Sequence, residues 1–126
     1  MQFTEDELNQ ILKLSPPVFL KGVNLSSANM RNAPNLEKAN LVGADLNQTD
    51  LRNANLQGAD LSGAVLTMVV LHRANLRYSN LKNINGYMAT FKEADLFKAN
   101  LQDASLEKAN FIEANLEEAD LTNARI

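Results

Sequence analysis

From Leu36 onward a large apolar residue returns at every fifth position, through Leu41, Leu46, Leu51 and Leu56 to Leu121 and Ile126. Phe91 and Phe111 replace leucine at two of these sites, and Gly86 is the single gap. Leu25 and Met30 extend the series towards the N-terminus, displaced by one residue. We call this position i. A small residue stands at i−2, usually alanine (Ala39, Ala44, Ala54, Ala59), and Asn or Asp stands at i−1 (Asn40, Asp45, Asp50, Asn55). The residues at i+1 and i+2 are mostly polar or small, as in Glu37-Lys38, Arg52-Asn53 and Gln57-Gly58.

Neither regular element can use such a period. Five residues advance an α-helix by about 500°, so successive leucines would decorate every face. On a flat strand, five alternations would throw them onto opposite faces. The pattern becomes consistent when each pentad is a short extended piece followed by a corner. Positions i−2 and i then point inward, i−1 points outward, and the next two residues turn the chain. Repetition winds a coil around a dry axis. The period alone sets neither the number of sides nor the hand.

The run A-[D/N]-L-x-x, as in Ala39-Asn40-Leu41-Val42-Gly43 and Ala119-Asp120-Leu121-Thr122-Asn123, is similar to the pentapeptide-repeat family. The likeness covers residues 23–126. It implies an all-β solenoid, a right-handed quadrilateral parallel β-helix with four pentads per coil and about five coils. Residues 20 apart would then stack, which suits Phe91 and Phe111, the two aromatic residues at i. At the gap, Ile84 at i−2 and Gly86 at i have exchanged large and small within one pentad, which roughly keeps core volume. This predicts a re-aimed pentad at Ile84–Met88, with a small outward loop as the alternative.

Residues 1–22 read differently. Thr4 as N-cap with Glu7 three residues on is a capping box, and Phe3 with Leu8 fits a hydrophobic staple. Leu8, Ile11 and Leu12 share one face, and Pro16-Pro17 stops the helix. A short capping helix and connector over 1–22 would thus lid the β-helix of 23–126. Repeats run to Ile126 without a comparable lid. An uncovered coil invites pairing. Two chains are expected to meet through their C-terminal coils as a two-fold homodimer; a frayed last turn or a longer chain is the alternative.

Composition narrows the chemistry. The net charge of −3 argues against a nucleic-acid binder, and without cysteine there is no thiolate nucleophile or Cys-based metal site. The acidic start, Thr4-Glu5-Asp6-Glu7, is unlike a secretory signal, and no apolar run approaches the roughly 18 residues of a membrane span. The expectation is a cytoplasmic protein with no membrane contact. His72, the only histidine, falls at an outward corner. Stacking would align Arg52, His72 and Lys92 as a basic strip able to touch phosphate or an acidic partner, or simply to aid solubility. Carboxylates gather near the C-terminus (Glu107, Glu113, Glu117, Glu118, Asp120), but a convex rod offers no cleft in which to divide their roles. No catalytic, cofactor or metal site is expected.

One departure stands out. In Val65-Leu66-Thr67-Met68-Val69-Val70, valine replaces the outward Asn/Asp at both Val65 and Val70, and Met68 takes the corner; one coil later Tyr87 and Met88 match it. Val65, Met68, Val70, Tyr87 and Met88 are therefore the candidate interaction patch, with a merely stickier ladder as the plainer reading. Phe97 and Ile112 also point outward but read as scattered. The function expected is a non-catalytic scaffold or interaction module for an unidentified protein partner. Two alternatives are weaker. Family members that mimic DNA and bind topoisomerases resemble longer acidic rods, whereas Arg52, Arg73, Arg77, Lys82 and Lys92 interrupt a negative face here. A β-helical enzyme or carbohydrate binder would need a groove, and this chain has no Trp.

Overall fold

The pentads close into a coil because each outward i−1 residue forms a parallel bridge with its equivalent 20 positions on. One such series runs Asn40, Asp60, Asn80, Asn100 and Asp120. The structure is a computed structural model and describes residues 3–33 and 35–126. A repeat of 20 residues carries four pentads, so the rod has four faces. The first rungs are offset by 21 instead: Phe19 bridges Asn40, Asn24 bridges Asp45, and Asn29 bridges Asp50. The extra residue lies between Met30 and Leu36, which is the phase slip seen in the sequence.

Three backbone bonds tie each pentad to its neighbours. Leu41 N–H donates to Asp60 O at 2.7 Å, Gly43 N–H to Ser62 O at 2.9 Å, and Asp60 N–H to Ala39 O at 2.9 Å. Every backbone strand is thus cut to a single bridging residue between corners. The corner itself closes with a bond from the next i−2 residue back to i, such as Ala44 N–H to Leu41 O at 3.0 Å. Position i+2 takes positive φ throughout, at Gly43 (65°) but equally at Gln48 (59°), Met68 (54°) and Glu118 (57°). A four-residue turn with positive φ at its third residue meets the requirement of a type II turn. Asn and Asp at i−1 complete the corner, because their Oδ1 accepts the N–H of i+1: Asn47 N–H to Asp45 at 3.0 Å, Arg77 N–H to Asn75 at 3.1 Å.

Inside, the leucines at i and alanines at i−2 are fully buried from Leu36 to Leu106. The two polar intruders at i−2 are satisfied: Thr49 Oγ1 donates to Leu25 O at 2.8 Å and Ser79 Oγ to Leu76 O at 2.7 Å. Phe91 and Phe111 lie face to face with centroids 4.8 Å apart and planes 1° from parallel. That separation is within the range usual for stacked aromatic pairs, and it matches the spacing between neighbouring rungs of the ladder. At the gap the ladder continues unbroken. Gly86 N–H donates to Ser105 O at 2.7 Å and Asn85 bridges both Val65 and Ser105. No outward loop forms. Ile84 is buried and Leu106 fills the space above, so a Cβ on Gly86 would fall 2.8 Å from Leu106 Cδ2.

The N-terminal helix α1 spans Glu5–Ile11, with Thr4 as N-cap and the full capping box with Glu7. Leu8 is buried in the core cluster, while Phe3, Ile11 and Leu12 pack partly against it. The helix ends at its C-cap Leu12, ahead of the proline pair, and Asn35 Nδ2 donates to Leu12 O. Winding then begins at Val18, five residues before Val23: Leu20 N–H donates to Asn40 O and Gly22 N–H to Val42 O. Phe19 disguises this first pentad by occupying the Asn/Asp position, where it is exposed. At the far end the last coil is only partly covered. Phe111, Leu116 and Leu121 are half-buried, and their N–H groups have no acceptor among the described residues.

Candidate functional site

The corners carry whatever this protein shows to others, because each places two side chains, i+1 and i+2, outside the ladder. Corner residues 20 apart form columns, so a surface feature is a short stretch of one column or of two neighbours.

The column of Arg52, His72 and Lys92 forms as the repeat arithmetic requires, with His72 Nδ1 3.2 Å from Lys92 O. Its cations, however, turn towards carboxylates. Arg52 grips Asp50 with Nη2 at 2.6 Å and Nε at 3.0 Å, which holds the Asp50 carboxyl below its ordinary range. Lys92 lies 4.0 Å from Glu93, which Arg73 already engages at 2.6 Å. The Arg73 contact holds Glu93 low as well. The next residue in the column is Ile112, which is exposed. Two of the three members of the strip, Arg52 and Lys92, thus lie beside carboxylates.

The second corner is of a different kind. The stretch from Val65 to Val70 wraps it, and Tyr87 and Met88 stand directly above. Met68 N–H donates to Tyr87 O at 2.9 Å, and Met88 N–H to Glu107 O at 3.0 Å. Met68, Tyr87 and Met88 are exposed. Val65 and Val70 are half-buried, which makes them shoulders of the patch and not its crest. Each is held between polar neighbours in its own column, Val65 between Asp45 and Asn85, and Val70 between Asp50 and Thr90. The valines change the corner in another way. Without a side-chain acceptor at i−1, the N–H groups of Thr67 and His72 have no acceptor among the described residues. Below the patch, Gln48 Nε2 approaches Met68 Sδ at 4.0 Å; above it, Lys108 Nζ sits 5.7 Å from the Tyr87 ring centroid.

A third cluster occupies the diagonally opposite corner, half a coil away. Tyr78 and Phe97 meet edge to face with centroids 5.7 Å apart. The Arg77 guanidinium lies 4.4 Å from the Phe97 centroid and donates to Asp95 at 2.9 Å. Burial pushes the Asp95 carboxyl up, but Arg77, the Phe97 N–H and Asn115 together outweigh it and hold the group low. Lys98 covers Phe97 at 5.4 Å and reaches Glu118 at 3.4 Å. Phe97 is thus not scattered. The signal was a spacing of 19, which pairs i+2 of one coil with i+1 of the next. Every charged group in this cluster already has a partner, so it reads as a surface staple between coils.

Among the described residues, no group of three or more His, Asp or Glu side chains is placed to hold a metal ion. No helix among them is long and apolar enough to cross a membrane. A cleft of about 400 Å³ lies between α1 and the first coil, where Phe3, Thr4, Glu5 and Leu8 face Asn24, Leu25 and Ser27. It belongs to the seating of the lid.

A family model described as pentapeptide repeats matches the chain in eight copies, over residues 35–67, 54–85 and 89–126. No curated protein matches it. Among solved structures, a pentapeptide repeat protein of the Arabidopsis thaliana thylakoid lumen aligns with a TM-score of 0.70 at 27% identity, covering 85% of this chain and 70% of that one. One from the cyanobacterium Cyanothece gives 0.68 at 29% identity, covering 90% and 67%. A third, from Nostoc, gives 0.59 at 41% identity, covering 60% of this chain and 62% of its own.

Proposed function

Since the chain belongs to the pentapeptide-repeat family, we propose that it is a non-catalytic interaction module, a right-handed rod that docks a protein partner on the corner of Val65, Met68, Val70, Tyr87 and Met88. The observation that carries this reading is the double loss of a corner hydrogen bond. Val65 and Val70 leave the Thr67 and His72 N–H groups without the side-chain acceptor that Asn or Asp supplies at most other corners. A sequence shaped for stability alone would keep that bond, which contributes about 1 kcal/mol. Two successive corners give it up and gain apolar surface beside two exposed methionines and a tyrosine. Flexible thioethers and a rigid amphipathic ring suit a contact surface. The partner fitted to it carries an apolar side chain for the Met68–Met88 crest and an acidic group for Lys108.

A photo-crosslinking residue at Tyr87, compared with one at the exposed corner residue Asp103, tests the assignment in the native host. A protein adduct at position 87 and none at 103, lost on Met68→Asp with Met88→Asp, is the expected result. Equal labelling at both positions would remove the patch from the reading.

Dimerisation belongs to the same proposal. The half-buried Phe111, Leu116 and Leu121 and their unpaired N–H groups form an edge that a second copy can cover. Sedimentation of the purified chain decides this: a dimer that Leu116→Asp converts to monomer supports it, and a monomer at high micromolar concentration discards it. Topoisomerase binding by DNA mimicry draws no support from the surface, where Arg52, Arg73 and Arg77 pair with Asp50, Glu93 and Asp95 and break up any acidic face.

A further inference from the structure

We propose that Met68 and Met88 form a peroxide-responsive modification site, in which oxidation to sulfoxides turns the crest of the docking corner polar while the coil beneath stays folded. Gln48, Met68, Met88 and Lys108 occupy one corner column, each with positive φ (59°, 54°, 56° and 62°). Their side chains leave the rod one rung apart, about 4.8 Å. The order along the column is donor, thioether, thioether, donor. Gln48 Nε2 already approaches Met68 Sδ at 4.0 Å, and the Lys108 ammonium lies over the Tyr87 ring at 5.7 Å from its centroid.

Thioether sulfur is a weak acceptor, whereas a sulfoxide is polar. Each sulfoxide oxygen would therefore find a stronger bond from its own end of the column, Met68 from Gln48 and Met88 from Lys108. Exposure sets which methionines react. Met68 and Met88 are 44% and 45% exposed; Met30, at position i of the first coil, is 1% exposed and serves as an internal control. In the reaction a sulfur lone pair attacks one oxygen of hydrogen peroxide and the O–O bond breaks. The sulfur is oxidised by two electrons, and the departing hydroxide takes the remaining proton to leave as water. Neither oxygen nor charge enters the leucine axis.

Only the effect on docking rests on the function proposed above; the chemistry does not. The intact chain is treated with hydrogen peroxide, and oxygen uptake at each methionine is followed by peptide mass spectrometry beside a thermal melt. Met68 and Met88 are expected to gain one oxygen at least about tenfold faster than Met30, with the melting transition retained. In Gln48→Leu, the doubly oxidised chain should melt below its reduced form, a difference absent from the unaltered chain. Comparable rates at Met30, Met68 and Met88, or unfolding on oxidation of Met68 and Met88, would overturn the proposal. Crosslinking from position 87 is then repeated before and after peroxide, with Met68→Leu/Met88→Leu as the resistant control. Loss in the unaltered chain alone supports the switch, and equal crosslinking before and after rejects it. Absence of crosslinks before treatment would instead reject the docking corner, leaving the oxidation rates to stand by themselves.

Discussion

A corner of this rod asks two things of its residues: an acceptor at i−1 and a left-handed backbone at i+2. The first requirement makes the docking corner improvable. Val65→Asn together with Val70→Asn should restore the bonds to the Thr67 and His72 N–H groups and raise stability by about 1–2 kcal/mol, seen as a higher melting temperature, while the position 87 adduct disappears. A gain in stability joined to a loss of contact would separate function from folding at those sites. The second requirement makes glycine replaceable only by certain residues. Gly63 has φ of 68° and open space around its Cα, so Gly63→Val should cost about 1–2 kcal/mol through backbone strain alone, and Gly63→Asn distinctly less. Denaturant titration of the two variants checks this. Charge acts locally too. Asp50, Asp95, Glu93 and Asp120 all sit below their ordinary range, so the stabilisation they supply is complete near neutral pH. It is lost as pH falls below about 4 and through the lowered values. Melts at descending pH should show that loss, blunted in Asp50→Asn because that group no longer titrates.

Elements here are pentads, and the sequence revealed them unevenly for physical reasons. The leucine period was legible because every i residue meets the same dry axis. The α1 cap was legible because Thr4 and Glu7 satisfy each other locally. The first pentad was harder to see, since Phe19 stands where Asn or Asp marks most repeats, and its membership rests on backbone bonds to Asn40 and Val42. The Tyr78–Phe97 cluster was hidden because its members differ in corner position and meet only after winding. Val65 and Val70 are half-buried although they point outward, for a related reason: an outward residue in a ladder is flanked above and below by its column. The exchanged pair at Ile84 and Gly86 gives an element-scale prediction. Gly86→Leu alone should be strongly destabilising, because even a Cβ there meets Leu106 and the Ser105 carbonyl. The double change Ile84→Ala with Gly86→Leu restores the usual pentad and should melt well above Gly86→Leu, a coupling that a double-mutant cycle measures.

Across the whole molecule, each coil touches only its neighbours, so stability is a chain of nearest-neighbour terms. Leu76 lies in the middle of that chain with no exposed surface. Leu76→Asp should unfold the protein by burying an unpaired charge, whereas Glu117→Ala on the exposed last coil should be nearly silent. Circular dichroism melts of the two variants decide whether the leucines line the axis. The stacking interval has a further consequence, for how such a rod can lengthen or shorten. Excising residues 89–108 would remove one full revolution, let Ala109 follow Met88 in step, and keep every surviving column aligned. Excising a single pentad would rotate all that follows by a quarter turn and shear the columns apart, with Lys108 no longer above Met88. Surface features on this architecture are inherited in whole revolutions, so duplication or loss of 20 residues is the smallest change in length that leaves the pattern on its sides intact.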